Sequence, residues 1–200
     1  MTEDTDFELV RRCQSDDPDA HEPAFRELFE RYRDRVYNTA FRVVGNASDA
    51  ADVSQEVFLT IFRKIAEFQF NSRFFTWLYR ITVNLSIDRR RRLAALPPTV
   101  GESGSEGLLA GIEDTVESET QDLADLEFIE RRVQQSISRL SPKLRAIVVL
   151  RYIEGLAYGD IAEVMNCSIG TVKSRLNRAH RNLEVILKPL VEELAGREGT

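Results

Sequence analysis

Large apolar residues recur at helical spacing along most of the chain, and no stretch keeps the period-two alternation of a half-buried strand. From Ala20 to Val44, the side chains Phe25, Leu28, Phe29, Tyr32, Val36 and Tyr37 gather on one side of a single long helix. Gly45-Asn46 supplies its stop. Ser48 or Asp49 is placed to cap a second helix, in which Val53, Val57, Phe58, Ile61, Phe62 and Ile65 keep the spacing. After a break over Glu67 to Ser72, Phe74, Leu78, Ile81 and Leu85 define the core side of a third helix. It runs into Arg89-Arg90-Arg91-Arg92.

The pattern lapses after Leu96. PPTVGESGSEGLLAGIEDTVESET carries prolines, glycines, hydroxyl and acidic residues with few large apolar groups, too little to offset its ordering entropy. Helical spacing returns over Leu123 to Leu140. Ser141-Pro142 then starts a helix carrying Leu144, Ile147, Val148 and Tyr152, which stops at Glu154-Gly155. Two more helices follow, Tyr158 to Met165 and Ile169 to about Leu190. The expected fold is all-α. A helical domain over residues 1–96 is joined by a flexible acidic linker, 97–122, to a winged-helix-like four-helix domain over 123–200 that contains a helix-turn-helix.

That last assignment rests on LAYGDIAEVMNCSIGTVKSRLNRAHRNL. A short helix with small Ala162 allows close approach of its neighbour. Asn166 tolerates the left-handed turn, and Ser168 is placed to cap the second helix. At about 100° per residue, Ile169, Val172, Leu176, Ala179, Leu183 and Ile186 share one arc. Thr171, Lys173, Ser174, Arg175, Asn177, Arg178 and Arg181 take the other side. Such a set can reach phosphates and base edges of duplex DNA.

The net charge of −6 argues against a nucleic-acid binder until it is located. Residues 1–96 hold 15 basic and 16 acidic side chains, residues 97–126 none and 8, and residues 127–200 hold 12 and 9. The acidity sits in the connecting segment, and the C-terminal part is mildly basic, so the objection falls. No apolar run is long enough to span a membrane, and MTEDTDFELV is acidic where a secretory signal is basic, which points to the cytoplasm. Cys13 and Cys167 form no metal-binding spacing, and His21 and His180 have no ligand partners nearby in sequence. Neither a metal nor a cofactor is expected.

In FQFNSRFFTWLYRITVNLSIDRRRR, six aromatic residues fall between Phe68 and Tyr79, interleaved with polar and basic ones. Most are accounted for by packing. Rings beside cations also suit a single-stranded nucleic acid, and Gln69, Asn71 and Asn84 offer amides to a base. No nucleophile, metal cluster or phosphate-cradling glycine loop suggests an enzyme. From these residues alone, a DNA-binding activator or repressor and a helical interaction adaptor both stand as alternatives.

The segments DAADVSQEVFLTIFRKI, FFTWLYRITVNLSIDRRRR and LSPKLRAIVVLRYIEGLAYGDIAEVMNCSIGTVKSRLNRAHRNL, in that order, resemble a bacterial extracytoplasmic-function sigma factor. The resemblance implies an initiation subunit of RNA polymerase, acting in a stress or envelope response. Its polymerase-binding residues are then Asp52, Gln55 and Glu56. Capture and melting of the −10 element fall to Phe68, Gln69, Phe70, Asn71, Ser72 and Arg73, with Trp77 and Asn84 on the helix that follows. Duplex −35 recognition falls to Thr171, Lys173, Ser174, Arg175, Asn177 and Arg178. The implied partners are core RNA polymerase, promoter DNA and an anti-sigma factor. One departure is plain: the family's loop usually reads FRGDSSF, whereas this chain has FQFNSRF, with Phe70 in the glycine position and Asn71 in that of the acid. Glycine adopts backbone angles that phenylalanine resists, so an altered loop shape and an altered −10 preference are expected.

Overall fold

The structure is a computed structural model that describes residues 2–15, 17–95 and 132–197. Every regular element among them is helical: α1 (Thr2–Cys13), α2 (Pro18–Val44), α3 (Ala47–Lys64) with a 3-10 turn (Ile65–Glu67), and α4 (Phe74–Ala95). After them come α5 (residues 132–138), α6 (Pro142–Val148), α7 (Tyr158–Val164) and α8 (Ile169–Arg197). The expected linker, 97–122, and the first part of the helix expected from Leu123 lie outside the described residues. Helix α1, for which the apolar pattern gave no expectation, adds Leu9, Val10 and Cys13 to the N-terminal core.

Local signals set the helix ends. Asp17 accepts from the Asp19 amide ahead of Pro18, which fills a first-turn position where no N–H is needed. Gly45 closes α2 at φ 96°, with its amide on the Phe41 carbonyl. The cap of α3 is Asn46, which accepts from the Asp49 amide at 2.8 Å, and not Ser48 or Asp49 as expected. Asn46 has the extended backbone of a cap, whereas the two residues proposed for that role already sit inside the helix. Helix α6 runs into a single π turn, Val149–Ile153, where the Glu154 amide donates to Val149.

Helix α4 is the wall between two cores. Phe74 and Leu78 are buried against α1, α2 and α3, with Ile81 and Leu85 packed beside them. Tyr79, Val83 and Ile87 lie roughly 180° away around the helix. They are buried with Ile147, Leu150, Ile161 and Val164 of the C-terminal half. The two halves therefore pack directly on each other.

Polar bonds accompany that packing. Glu154 accepts from Thr39 at 2.8 Å and from the Tyr79 hydroxyl. Burial, then the Glu154 hydrogen bond, pushes the Tyr79 hydroxyl well above the usual phenol range. Arg145, 1% exposed, donates to the carbonyls of Val43 at 2.7 Å and Ile137 at 3.2 Å, and to Ser138. No carboxylate pairs with it among the described residues. Instead the guanidinium neutralises the carbonyl ends of α2 and α5, where helix dipoles favour a cation. Burial, followed by the nearby Arg90 charge, lowers it to about 10, which leaves it protonated at neutral pH.

Candidate nucleic-acid and polymerase interfaces

The helix pair α7–α8 is joined as the turn chemistry dictates. Asn166 takes φ 46°, and the Cys167 amide returns to the Ala162 carbonyl at 2.9 Å. Ser168 accepts from the Thr171 amide at 3.1 Å and so caps α8. Val172, Leu176 and Ala179 are buried in the core they share with Ile161, Ala162 and Val164. Ile169 does not join them. It is 48% exposed, because it opens α8 at a point the short α7 does not cover. On the outer side Lys173, Ser174, Asn177 and Arg178 are exposed, and Thr171 and Arg175 are half-buried. The Arg175 guanidinium lies 3.7 Å from the Cys167 sulfur. None of the cations Lys173, Arg175 and Arg178 has a carboxylate within ion-pair distance among the described residues, so their charge is uncommitted. That is the electrostatic condition for phosphate contact.

The aromatic segment divides into scaffold and surface. Phe68, 8% exposed, and Phe74, 6% exposed, belong to the core, so the Phe68 ring supports the loop rather than offering a free face. Trp77 is half-buried against them, with ring centroids 5.0 Å from Phe68 and 6.0 Å from Phe74. Gln69, Asn71 and Arg73 are exposed, and Ser72 is half-buried. The Asn71 amide donates to Gln69 at 3.3 Å. Asn84 is exposed on the side of α4 that carries Trp77, about 10 Å farther along the axis. Phe70 occupies the left-handed region at φ 57°. The backbone thus adopts the conformation glycine favours even though phenylalanine is present.

Asp52, Gln55 and Glu56 are exposed within one arc of α3. Arg89, the first of the arginine run, donates to Asp52 at 3.1 Å and to Asp49 at 2.6 Å. It therefore ties α4 to the start of α3. Beside Gln55 an open apolar groove is lined by Phe25, Phe29, Tyr37, Phe58, Leu59 and Phe62. Leu59 and Phe62 are 46% and 52% exposed, an apolar surface rimmed by polar groups of the kind that marks a protein interface. The apolar pattern assigned Phe25, Phe29, Phe58 and Phe62 to helix faces, but only the α2–α3 pairing shows that Phe29 and Phe62 open onto solvent while Phe58 is buried. No group of His, Cys, Asp or Glu able to hold a metal ion occurs among the described residues. Nor is any described helix long and apolar enough to cross a membrane.

Residues 28–95 match the family model for Sigma-70 region 2, and residues 130–183 match that for Sigma-70, region 4. The chain is 35% identical to RNA polymerase sigma-H factor of Pseudomonas aeruginosa, over 96% of this chain and 99% of that protein. It is 32% identical to ECF RNA polymerase sigma factor SigW of Bacillus subtilis, over 90% and 96%. Among solved structures it resembles CnrH in complex with the cytosolic domain of CnrY, at TM-score 0.66 and 22% identity, over 93% of this chain and 99% of that one. It also resembles the sigma factor RpoE of Bartonella quintana in complex with the anti-sigma factor NepR, at TM-score 0.59 and 22% identity, over 82% and 96%. The order of the two matched regions, the helix-turn-helix and the identities over nearly full length agree: this chain belongs to the extracytoplasmic-function family of RNA polymerase sigma factors.

Proposed function

We propose that this sigma factor divides promoter recognition between the two sites described above. The outer side of α8, through Thr171, Lys173, Ser174, Arg175, Asn177 and Arg178, holds the −35 element as duplex. The loop from Phe68 to Arg73, with Trp77 and Asn84, holds an unstacked base of the −10 element, whose extraction costs a few kcal/mol. Asp52, Gln55 and Glu56, beside the open groove, meet core RNA polymerase. The protein acts by binding, without a covalent step of its own, and does so in the cytoplasm during a stress or envelope response. The domain limits 1–96 and 123–200 belong to the same reading, as does an anti-sigma factor as partner. Solved relatives were found with CnrY and with NepR.

The observation that carries this reading is the pairing, in one chain, of an uncommitted basic helix side with an exposed amide-bearing loop beside a half-buried tryptophan. The two elements sit roughly 25 base pairs apart, on the order of 80 Å at about 3.4 Å per pair. A packed chain of this length has a radius of gyration of only about 16 Å. The halves must therefore part along the α4 seam to engage both elements, and contacts with polymerase and DNA take the place of the seam.

Mixing the purified chain with core polymerase and a promoter carrying both elements tests the assignment. Permanganate reactivity of unpaired thymines at the −10 element is expected only when both proteins are present. Tight duplex binding by the chain alone, with no affinity for core, would support a free-standing activator instead.

A further inference from the structure

Helix α1 reaches the loop assigned to the −10 element, and nothing in the division of labour above uses it. Gln14, immediately after α1, directs one amide nitrogen at two carbonyls, Ile65 at 2.9 Å and Phe68 at 2.7 Å. Both hydrogens of that nitrogen are thereby used to fix the backbone where α3 ends and the loop begins. Farther along, the Phe7 and Phe70 rings lie 4.7 Å apart, and Phe70 also meets Phe68 at 5.0 Å. The Arg11 guanidinium covers both, 5.1 Å from the Phe7 ring centre and 5.7 Å from that of Phe70.

These contacts explain how phenylalanine holds φ 57°, a conformation that strains any residue with a Cβ. The ring is drawn toward α1 and packed there, which offsets the backbone cost. With Phe70 held inward, its neighbours Gln69 and Asn71 are left exposed. Phe7 itself is 47% exposed, so its contact with Phe70 is no part of the buried core.

We infer that Phe7, Arg11 and Gln14 are positioning residues for base selection, with α1 holding the loop so that Gln69 and Asn71 face the unstacked strand. Phe70 is then scaffold rather than a stacking surface. This inference rests on the loop being the −10 reader, and the test separates the two. Full-length Phe7→Ala, Gln14→Met, Phe7→Tyr and Asn71→Ala variants are assembled with core polymerase. Each is measured for −10 preference on a randomised promoter pool, opening rate, core affinity, −35 duplex affinity and thermal unfolding.

Asn71→Ala is expected to shift the preference. Phe7→Ala is expected to broaden it and to slow opening about tenfold, the scale of losing an aromatic pair with a cation–π contact. Gln14→Met is expected to do so by a similar factor, through the loss of its donor to two carbonyls. Core and duplex affinities should stay at parent values while the melting temperature falls by only a few degrees, and Phe7→Tyr, which keeps the ring, should restore selectivity. If Asn71→Ala shifts the preference while Phe7→Ala and Gln14→Met behave as the parent, α1 does not position the loop. If Asn71→Ala also leaves the preference unchanged, the loop does not read this element, and the inference falls with that reading. Equal losses of core affinity, duplex affinity and opening would overturn it as well, since they describe general destabilisation.

Discussion

The two proposed nucleic-acid sites present their groups by opposite means. In the C-terminal half, Lys173, Ser174, Asn177 and Arg178 stand on the outer side of a helix whose inner side is Val172, Leu176 and Ala179. Their placement follows from helical period alone, and the turn before them is built from residues within one short segment. In the N-terminal half the exposed groups sit on a loop whose shape depends on Gln14, 51 positions from Ile65 and 54 from Phe68. A rigid helical side suits a regular duplex. A loop propped by tertiary contacts can take the uneven outline that an extruded base requires. The difference teaches that the proposed duplex site is local and the proposed melting site is collective.

The largest expected effect tests what joins the halves. Arg145→Met removes the buried guanidinium from the carbonyl ends of α2 and α5, leaving Val43 and Ile137 without that donor. Breaking a buried charged network of this kind costs about 3–5 kcal/mol. Thermal unfolding should then fall by roughly 6–20 °C for a chain of this size. An unchanged melting temperature would mean that the halves do not depend on each other through this residue.

Next in size is a pair of substitutions aimed at the two sites. Arg178→Ala should weaken recruitment to the −35 duplex by about fivefold to a hundredfold, the value of about 1–3 kcal/mol for a good base contact. Trp77→Ala should leave duplex affinity close to the parent and slow opening. Because Trp77 also packs on Phe68 and Phe74, some thermal stability is lost with it. Equal loss of duplex affinity in both variants would erase the distinction between a local and a collective site.

Glu154→Ala addresses the seam more gently. It leaves the hydroxyls of Thr39 and Tyr79, 0% and 1% exposed, without their acceptor, at about 1–2 kcal/mol. Small-angle scattering should show a larger radius of gyration for the free chain, while polymerase-dependent opening persists. A scattering profile identical to the parent's would show that this carboxylate does not hold the halves together.

The legible and illegible parts of the fold divide along the same line. The stop at Gly45, the turn at Asn166 and the cap at Ser168 were readable because each depends on the chemistry of one residue and its neighbours. The resemblance brought Asp52, Gln55 and Glu56 to notice, and all three prove exposed, but their tie to Arg89 through Asp52 and Asp49 spans about forty residues and leaves no local mark. Helix α4 was legible on one side only, for a physical reason: it buries opposite sides in two cores, so the Phe74–Leu85 stripe stood out while the Tyr79, Val83, Ile87 stripe carried no assignment. Phe70 is the clearest case. Sequence gave the cost of its backbone conformation but not the Phe7 and Arg11 contacts that offset it.

The smallest expected effect separates the halves by alkali. Cys13, 2% exposed on the inner side of α1, has its thiol pushed up from 9.0 to about 11 by burial, partly opposed by Arg12. The Tyr32 hydroxyl in the same half, buried and bonded to Asp6, is raised as well. Each folded-state group holds its proton more tightly than in the unfolded chain. Its stabilisation is complete below the unfolded value and is lost as pH rises through the folded one. For Cys13 that window runs from pH 9 to 11, and at pH 10 the loss is about 1.4 kcal/mol. Thermal unfolding followed between pH 8 and 10.5 should therefore slope downward, and Cys13→Ala should flatten the slope while lowering stability uniformly through its cavity. Only the slope matters here, because the cavity cost does not titrate. A Cys13→Ala variant that keeps the full alkaline slope would move the sensitivity from this thiol to the raised hydroxyls of Tyr32 under α1 and Tyr79 at the seam.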